Sequence, residues 1–551
     1  MNILGINQIP LMFFWQHDSA AALVKDGKLV ATAEEERFNR VRHYKGYPKR
    51  AIDYCLKEGN IEMKDVDVVA ISFNPYAFLK RGNFNLHPKV LFQNFANVIL
   101  FRLIKSRLKK ETNGAKIIYI DHHLAHAASA YRCSGFKEAN ILTIDGSGET
   151  ESFAFFIGKK EKIKRIWDIP LGGMFSKKKW QSIGLVYTRV TGFLNLGVNA
   201  EGKTMGLASY GKPIYDFSSI LNITNHKKYK IDRRNIAKKF PELEKKNSND
   251  LLLDKHKDLA ASLQEALERS IINLAKEAYE KSGIKNFALA GGVALNCNTN
   301  SKILEQDFCD QIFIQPASND GGAALGAALE ASAVVGENPD FNMIHAYWGP
   351  SFSNDEIEKI LKDTKTEYAF HDNIEEETAK LICYGNIVGW FQGAMEIGPR
   401  ALGNRSILAD PTRRGINDDI NKFVKHREVW RPFAPSVSEE GASRYFEGVD
   451  KAKDSPFMLH TFYAKKEYRD VFPAIVHIDG SSRIQTVREE QNKRYYKLIK
   501  EIEKINGHPI VLDTSFNDKG EPIVCTPKDA LRCFFSTGFD VLAIGNFIVK
   551  K

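Results

Sequence analysis

The chain has no apolar run able to span a bilayer. Its most lipid-like stretch, residues 90–109, is broken by Gln93, Asn94, Asn97, Arg102 and Lys105 and reads as a buried or amphipathic helix. Cysteine is scarce, seven in 551 residues, and no two form a CxxC pair, which argues against a disulfide framework and against a zinc ribbon. The opening MNILGIN passes directly into a globular pattern, without a cationic segment, an apolar run and a small-residue cleavage site, so the expected location is a reducing cytoplasm. Long basic tracts are also missing. Lys and Arg outnumber Asp and Glu by 78 to 68, a net charge of +10, but KSRLKK (105–110), KKEKIK (159–164) and KKK (177–179) are short and carry no interleaved aromatics. They read as solvated faces and argue against a nucleic-acid partner. With 43% apolar and 26% charged residues, the chain can bury at least two cores and is too mixed to be disordered or fibrous.

An internal echo gives the first architectural expectation. NILGIN (2–7) and NILTID (140–145) are short apolar strands ending in a polar residue. Each leads into a second strand, a charged turn (KDGK or KKEK) and a third strand. A duplicated three-strand meander of this kind matches the actin-like ATPase fold, in which two related halves clamp a nucleotide. Leu263, Leu267, Ile271, Leu274 and Ala278 recur at helical spacing ahead of a strand, FALAGG (287–292). SNDGGAALGAAL (318–329) is a glycine turn that opens a small-residue helix. After Ala346, the run YWGPSFSNDEIEKIL looks like a boundary. Beyond it, strands are expected at 387–391, 406–410, 510–516 and 541–549, interleaved with helices in a mixed α/β domain.

Several groups can do chemistry. DHHLAHAASAY (121–131) reads as a helix start that places His122 and His126 one turn apart on one face, where two imidazoles can share a metal. His123 projects elsewhere, though spacing alone leaves a swap open. Asp145 in IDGSGE and Asp320 in SNDGG each precede glycine; they either complete a metal site or cap helices and turns. Two imidazoles with two carboxylates suit iron, manganese or zinc better than magnesium. EGKTMGLASYG (201–211) and AGGVALNCN (290–298) are stretches whose backbone N–H groups can meet a phosphate or ribose, or simply pack tightly. The C-terminal part holds Arg400, Arg405, Lys425, Arg431 and Arg483 in apolar, turn-forming surroundings where an unpaired charge is costly, so a polyphosphate is their natural counter-ion. Ser515 and Asn517 lie two apart at a strand end and face one side. Phe13, Phe14 and Trp15, in the apolar loop 8–16, either stack on a ring or belong to the core.

Taken in order, HDSAAAL, EEERFNR, DHHLAHAASAY, EGKTMGLASYG, AGGVALN, NDGGAALGAA, GPRALGNRSILADP, WRPFAPS, DGSSRIQTV and LDTSFN closely resemble the O-carbamoyltransferases of antibiotic and nodulation-factor biosynthesis, over nearly the whole chain. The resemblance implies an actin-like ATPase-fold domain over residues 1–346 that transfers a carbamoyl group. It also implies a YrdC-like α/β domain over 356–551 that makes carbamoyladenylate from carbamoyl phosphate and ATP.

Carried over residue by residue, the family's iron-type metal ligands fall on His122, His126, Asp145 and Asp320. The adenylate contacts fall on Glu201, Gly202, Lys203, Gly291, Gly292, Asn296, Asn319 and Gly321. The carbamoyl phosphate and ATP contacts, with magnesium accompanying ATP, fall on Arg400, Arg405, Lys425, Arg431, Arg483, Ser515 and Asn517. His17 matches a histidine near the acceptor; it either takes the hydroxyl proton or is a structural histidine. The loop 8–16 is longer and more apolar than the family pattern. The implied partners are carbamoyl phosphate, ATP and a hydroxylated small-molecule acceptor, with no membrane and with a homodimer as one arrangement. The competing readings are a tRNA threonylcarbamoyladenosine-type modification enzyme on the same folds, and a nonenzymatic nucleotide or metal sensor.

Overall fold

The computed structural model describes residues 1–7, 17–77, 99, 102–172, 180–247, 250–339, 341–428 and 430–551. The apolar loop 8–16, the basic run 177–179 and most of the stretch 90–109 lie outside them. Residues 102–109 of that stretch are helical, with Leu108 buried and most neighbours exposed, an amphipathic pattern. The chain divides into two compact units, Met1–Glu35 with His43–Met343, and Glu36–Arg42 with Ile344–Lys551.

In the first unit the echo becomes a duplicated topology. β1 (Asn2–Asn7), β2 (Ala20–Lys25) and β3 (Lys28–Glu34) form an antiparallel meander, and β4 (Val68–Ile71) and β5 (Lys116–Tyr119) continue parallel from β1. The sheet order is β3-β2-β1-β4-β5. β6 (Glu138–Ile144), β7 (Glu151–Lys159) and β8 (Lys162–Pro170) repeat the meander, and β9 (Asn286–Ala290) and β10 (Gln311–Ile314) repeat the parallel extension, in the order β8-β7-β6-β9-β10. This is the actin-like ATPase fold that the sequence predicts.

Three helices place the chemistry: α1 (His122–Tyr131), α2 (Asp254–Ser282) and α3 (Gly321–Val334). α2 buries Leu263, Leu267, Ile271, Leu274 and Ala278 along one stripe and stops at Gly283, whose φ of 72° no longer continues a right-handed helix. α3 is almost entirely buried because it lies against both β1 and α1. A methyl group at Gly326 would fall 1.8 Å from the Ala125 carbonyl oxygen of α1, and one at Gly5 of β1 would fall 2.1 Å from that of Ala324. Small residues at these points let the helix and strand backbones approach, which fixes α3 relative to α1.

The second unit is a mixed α/β structure, in keeping with the YrdC-like expectation. Its main sheet contains β11 (Ala369–Phe370), β12 (Val388–Phe391), β13 (Arg405–Ala409), β14 (Ala434–Ser438), β15 (Gln485–Val487), β16 (Ile510–Ser515), β17 (Val541–Ile544) and β18 (Phe547–Lys550). Their order is β11-β18-β17-β12-β13-β16-β14-β15. The single strand expected over 541–549 is an antiparallel hairpin, β17 and β18, turning at Gly545 with φ of 55°. The Gly-Asn pair is a turn signal that the surrounding apolar run conceals. The early segment Glu36–Arg42 belongs to this unit. Arg37 donates to the Gly398 carbonyl at 2.7 Å, and Arg40 to those of Ile523 and Pro522 at 2.7 and 2.6 Å.

Candidate active site

The first unit's polar groups gather at the carboxyl ends of its parallel strands, where open α/β sheets leave a crevice. β5 runs into α1, whose first turns carry His122 and His126; β6 ends at Asp145; β10 leads to Asp320, the residue before α3. His122 Nε2 and His126 Nε2 are 3.1 Å apart. His122 Nε2 lies 3.3 Å from Asp145 Oδ2 and 3.5 Å from Asp320 Oδ1, and His126 Nε2 lies 3.9 and 3.6 Å from the same oxygens. One ligand atom from each of the four residues falls within 4.8 Å of every other.

Asp320 makes no side-chain cap to α3, so its carboxylate is turned to the imidazoles instead. Asp145 Oδ1 accepts from Gly292 N at 3.0 Å, which leaves Oδ2 for His122. Burial opposes charge at His122, but Asp320 and Asp145 outweigh it and hold the ring well above its usual range. Burial would likewise raise Asp320, but His122 and His126 keep that carboxyl well below its usual range. Two imidazoles and two carboxylates converging on one point are a donor set that fits a borderline divalent ion. His123 does turn away. Its Nδ1 meets Thr143 Oγ1 at 2.7 Å, and burial brings it down to about 3.

Two residues missed in the sequence support this cluster. Glu149 accepts from the His122 backbone N–H at 2.9 Å and from that of Asn74 at 2.8 Å, so it caps α1 in place of Asp121; burial pushes it up to about 7. The other is Asp18, which accepts from His17 Nδ1 at 2.8 Å. Burial works against charge on His17, yet Asp18 and the Asp320 and Asp145 charges raise it to about 10. The signal for both was adjacency: Asp18 follows His17, and Glu149 closes IDGSGE.

The residues expected at the adenylate sit in three places. Glu201, Gly202 and Lys203 form the first turn of a helix, Glu201–Ala208. Glu201 accepts from Thr188 Oγ1 at 2.7 Å. Gly291 takes φ of 92° and passes so close to β6 that a methyl group would fall 2.3 Å from the Ile144 carbonyl oxygen. Asn296 caps the helix Cys297–Leu304 by accepting from Thr299 N at 3.1 Å. Asn319 donates to Asp18 Oδ2 at 2.7 Å, and Gly321 starts α3 against Glu34.

In the second unit Lys425, Ser515 and Asn517 come together. Lys425 Nζ donates to Ser515 O at 2.7 Å, Asn517 O at 2.8 Å and Asn517 Oδ1 at 2.7 Å. All these partners are neutral, so burial and the nearby Arg427 charge depress the ammonium well below its usual range. Arg431 is depressed by burial and, against Glu428, by Arg42 and Arg483. Arg483 Nε is buried without a hydrogen-bond partner among the described residues. Arg427, also missed in the sequence, stacks over Phe433 at 4.7 Å and is depressed by burial and by Arg431. Among the described residues, none of these four cations has a carboxylate within ion-pair distance. Arg405 stands apart: it is fully buried, lies 3.8 Å over the Phe391 ring and donates to the carbonyls of Gln392, Gly393 and Pro350. Its donors tie strand ends together. Arg400 is half-buried in the turn that leads from Glu396 to β13.

Duplicated sheets with two histidines and two aspartates clustered at their strand ends, and a second, mixed α/β unit, define an actin-like ATPase-fold protein. The chain belongs to the carbamoyltransferase family. The model for the carbamoyltransferase N-terminus matches residues 3–329, and that for the C-terminus matches 379–551. It is therefore a transferase enzyme. It is 38% identical to nodulation protein NolNO of Sinorhizobium fredii, over 99% of this chain and 80% of that one. It is 37% identical to nodulation protein NolO of Bradyrhizobium diazoefficiens, over 78% and 79%. Among solved structures, HypF of T. kodakarensis aligns with 61% of this chain and 48% of its own, at 15% identity and a TM-score of 0.37. Among the described residues no helix is long and apolar enough to cross a membrane.

Proposed function

We propose that the enzyme is an ATP-dependent O-carbamoyltransferase working in two half-reactions. In the second unit, spanning the expected residues 356–551, carbamoyl phosphate, water and ATP give carbamoyladenylate, pyrophosphate and phosphate. In the first, the carbamoyl group passes to a hydroxyl of a small-molecule acceptor. The observation that carries this reading is the unbalanced charge of Lys425, Arg427, Arg431 and Arg483. A polyphosphate supplies the missing negative charge, and bidentate guanidinium contacts orient it. Ser515 and Asn517 hold Lys425 toward that anion, and Arg400 lies within the same unit to complete the contacts.

In the transfer half, the nucleotide-facing turns at Glu201 to Lys203, Gly291 to Asn296 and Asn319 to Gly321 hold the adenylate. His17 receives the hydroxyl proton while the new C–O bond forms and AMP leaves with the electrons of the bond that breaks. A divalent ion held by His122, His126, Asp145 and Asp320, read as iron with manganese or zinc as substitutes, supplies Lewis acidity at a substrate oxygen. An ion there would offset the Asp320 and Asp145 charges that add to the Asp18 hydrogen bond in raising His17. The scarcity of cysteine and the lack of a CxxC pair in the sequence support a reducing cytoplasm.

The test is pyrophosphate release from ATP without any acceptor. Release that depends on carbamoyl phosphate supports the reading. Release that requires threonine and bicarbonate instead points to the tRNA-modification chemistry on the same folds.

A further inference from the structure

Asp18 is the meeting point of three donors. His17 Nδ1 reaches its Oδ2 at 2.8 Å, His43 Nδ1 reaches its Oδ1 at 2.7 Å, and Asn319 Nδ2 reaches Oδ2 at 2.7 Å. An ionised carboxylate only accepts hydrogen bonds, so both histidines present a protonated Nδ1 to it. The carboxylate is buried, while the two imidazole side chains are 36% and 27% exposed, so both rings reach toward solvent from a buried anchor.

The anchor itself is held in an unfavourable backbone conformation. Asp18 has φ of 59°, a left-handed value that is uncommon for a residue other than glycine. Buried Asn7 keeps it there: its Nδ2 donates to the Asp18 carbonyl at 3.0 Å, and its Oδ1 accepts from Ser72 Oγ at 2.7 Å. A strained residue strapped in place, with three donors on one carboxylate, is preorganisation of a kind found at reacting centres.

We propose that His43 is a positioning residue for carbamoyl transfer: with Asn319 it clamps Asp18, and Asp18 in turn fixes His17 as the Nδ1–H tautomer, leaving Nε2 to receive the acceptor's proton. The inference rests on the transfer reading and deepens it. It assigns His43 a role through Asp18, not a contact with substrate. His17, Asp18 and His43 also form a group able to hold a metal ion. The hydrogen-bonded clamp is favoured because the Asn319 amide nitrogen, which does not ligate cations, points at Oδ2, and each imidazole nitrogen faces its own oxygen at hydrogen-bond distance.

The test uses the full chain loaded with zinc and labelled with [15N]histidine, with His17 assigned by the signal lost in His17→Gln. The parent is expected to bind one zinc per chain and to show His17 as the Nδ1–H tautomer. His43→Leu is expected to lose that single form and give a mixture. His43→Gln, which keeps a side-chain donor, is expected to rescue it. Zinc content and carbamoyl-phosphate-dependent pyrophosphate release should match the parent in both, which separates a lost clamp from a lost fold. Should His43→Leu not fold, Asp18→Asn, of equal size, carries the same expectation. An unchanged His17 signal in the variant overturns the inference, as does a second zinc that disappears in both His17→Gln and His43→Leu. A parent that releases no pyrophosphate defeats the proposed two-step carbamoyladenylate route, whatever the tautomer.

Discussion

His122 Nε2 and His126 Nε2 face each other at 3.1 Å, one helical turn apart, with Asp145 and Asp320 closing the other sides. Two imidazoles and two carboxylates gathered in one place are a donor set that a divalent ion would fit. Asp320→Asn, which keeps size and removes charge, should lower metal affinity at least about tenfold. With metal at 100 times the parent's Kd, a tenfold loss should cut stabilisation by added metal from about 2.7 to about 1.4 kcal/mol. Elemental analysis and thermal unfolding with and without chelator read both. An unchanged metal content removes Asp320 from the ligand set.

Gly326 sets the distance between the helix that carries the histidines and the helix that Asp320 precedes. Gly326→Ala places a methyl group where the Ala125 carbonyl now sits. Overpacking of this kind costs about 1–3 kcal/mol. The expected result is a lower unfolding midpoint together with weaker metal binding. An equal substitution at Gly283, which has nothing near its Cβ position but holds φ of 72°, should lower stability without changing the metal.

Lys425 and Arg405 are both buried cations, yet their partners predict opposite phenotypes. Lys425→Ala should cut pyrophosphate release about 30-fold or more, the equivalent of ~2 kcal/mol for a lost charge-assisted hydrogen bond. Arg405→Lys should chiefly destabilise, because a lysine cannot reproduce the carbonyl contacts or the stacking on Phe391. Pyrophosphate assays beside denaturant titrations separate the two.

Asp513 accepts from Tyr495 Oη at 2.9 Å and Ser436 Oγ at 3.0 Å, and burial pushes its carboxyl up to about 7. Between the ordinary carboxyl range and about 7, the folded state keeps a proton that the unfolded chain has lost. Stability contributed by that proton is therefore present at low pH and falls as pH rises through this window, by on the order of a few kcal/mol. Asp513→Asn should flatten this fall. Urea unfolding at about pH 5 and about pH 8 measures it, and parallel pH dependence in parent and variant would show that Asp513 titrates normally.

Much of this was legible in the sequence for a physical reason. Strand runs such as NILGIN and NILTID are apolar because both faces are covered, and α2 shows its stripe because one face is not. The pair His122 and His126 follows from helical periodicity alone. What sequence could not show is convergence. Gly292, expected at a nucleotide, also donates to Asp145, and Asn319, expected there too, also donates to Asp18. The segment Glu36–Arg42 reads as part of the N-terminal run, but its arginines dock on carbonyls of residues 398, 522 and 523. Long-range partners of this kind leave no periodic trace.

Adenylate formation and carbamoyl transfer are proposed to belong to separate sets of residues. Mass spectrometry after incubation with ATP and 13C-labelled carbamoyl phosphate tests it directly. Labelled carbamoyladenylate is predicted in the parent and in Asp320→Asn, and about 30-fold less or lower still in Lys425→Ala. Loss of the adenylate in Asp320→Asn with retention in Lys425→Ala would contradict the account.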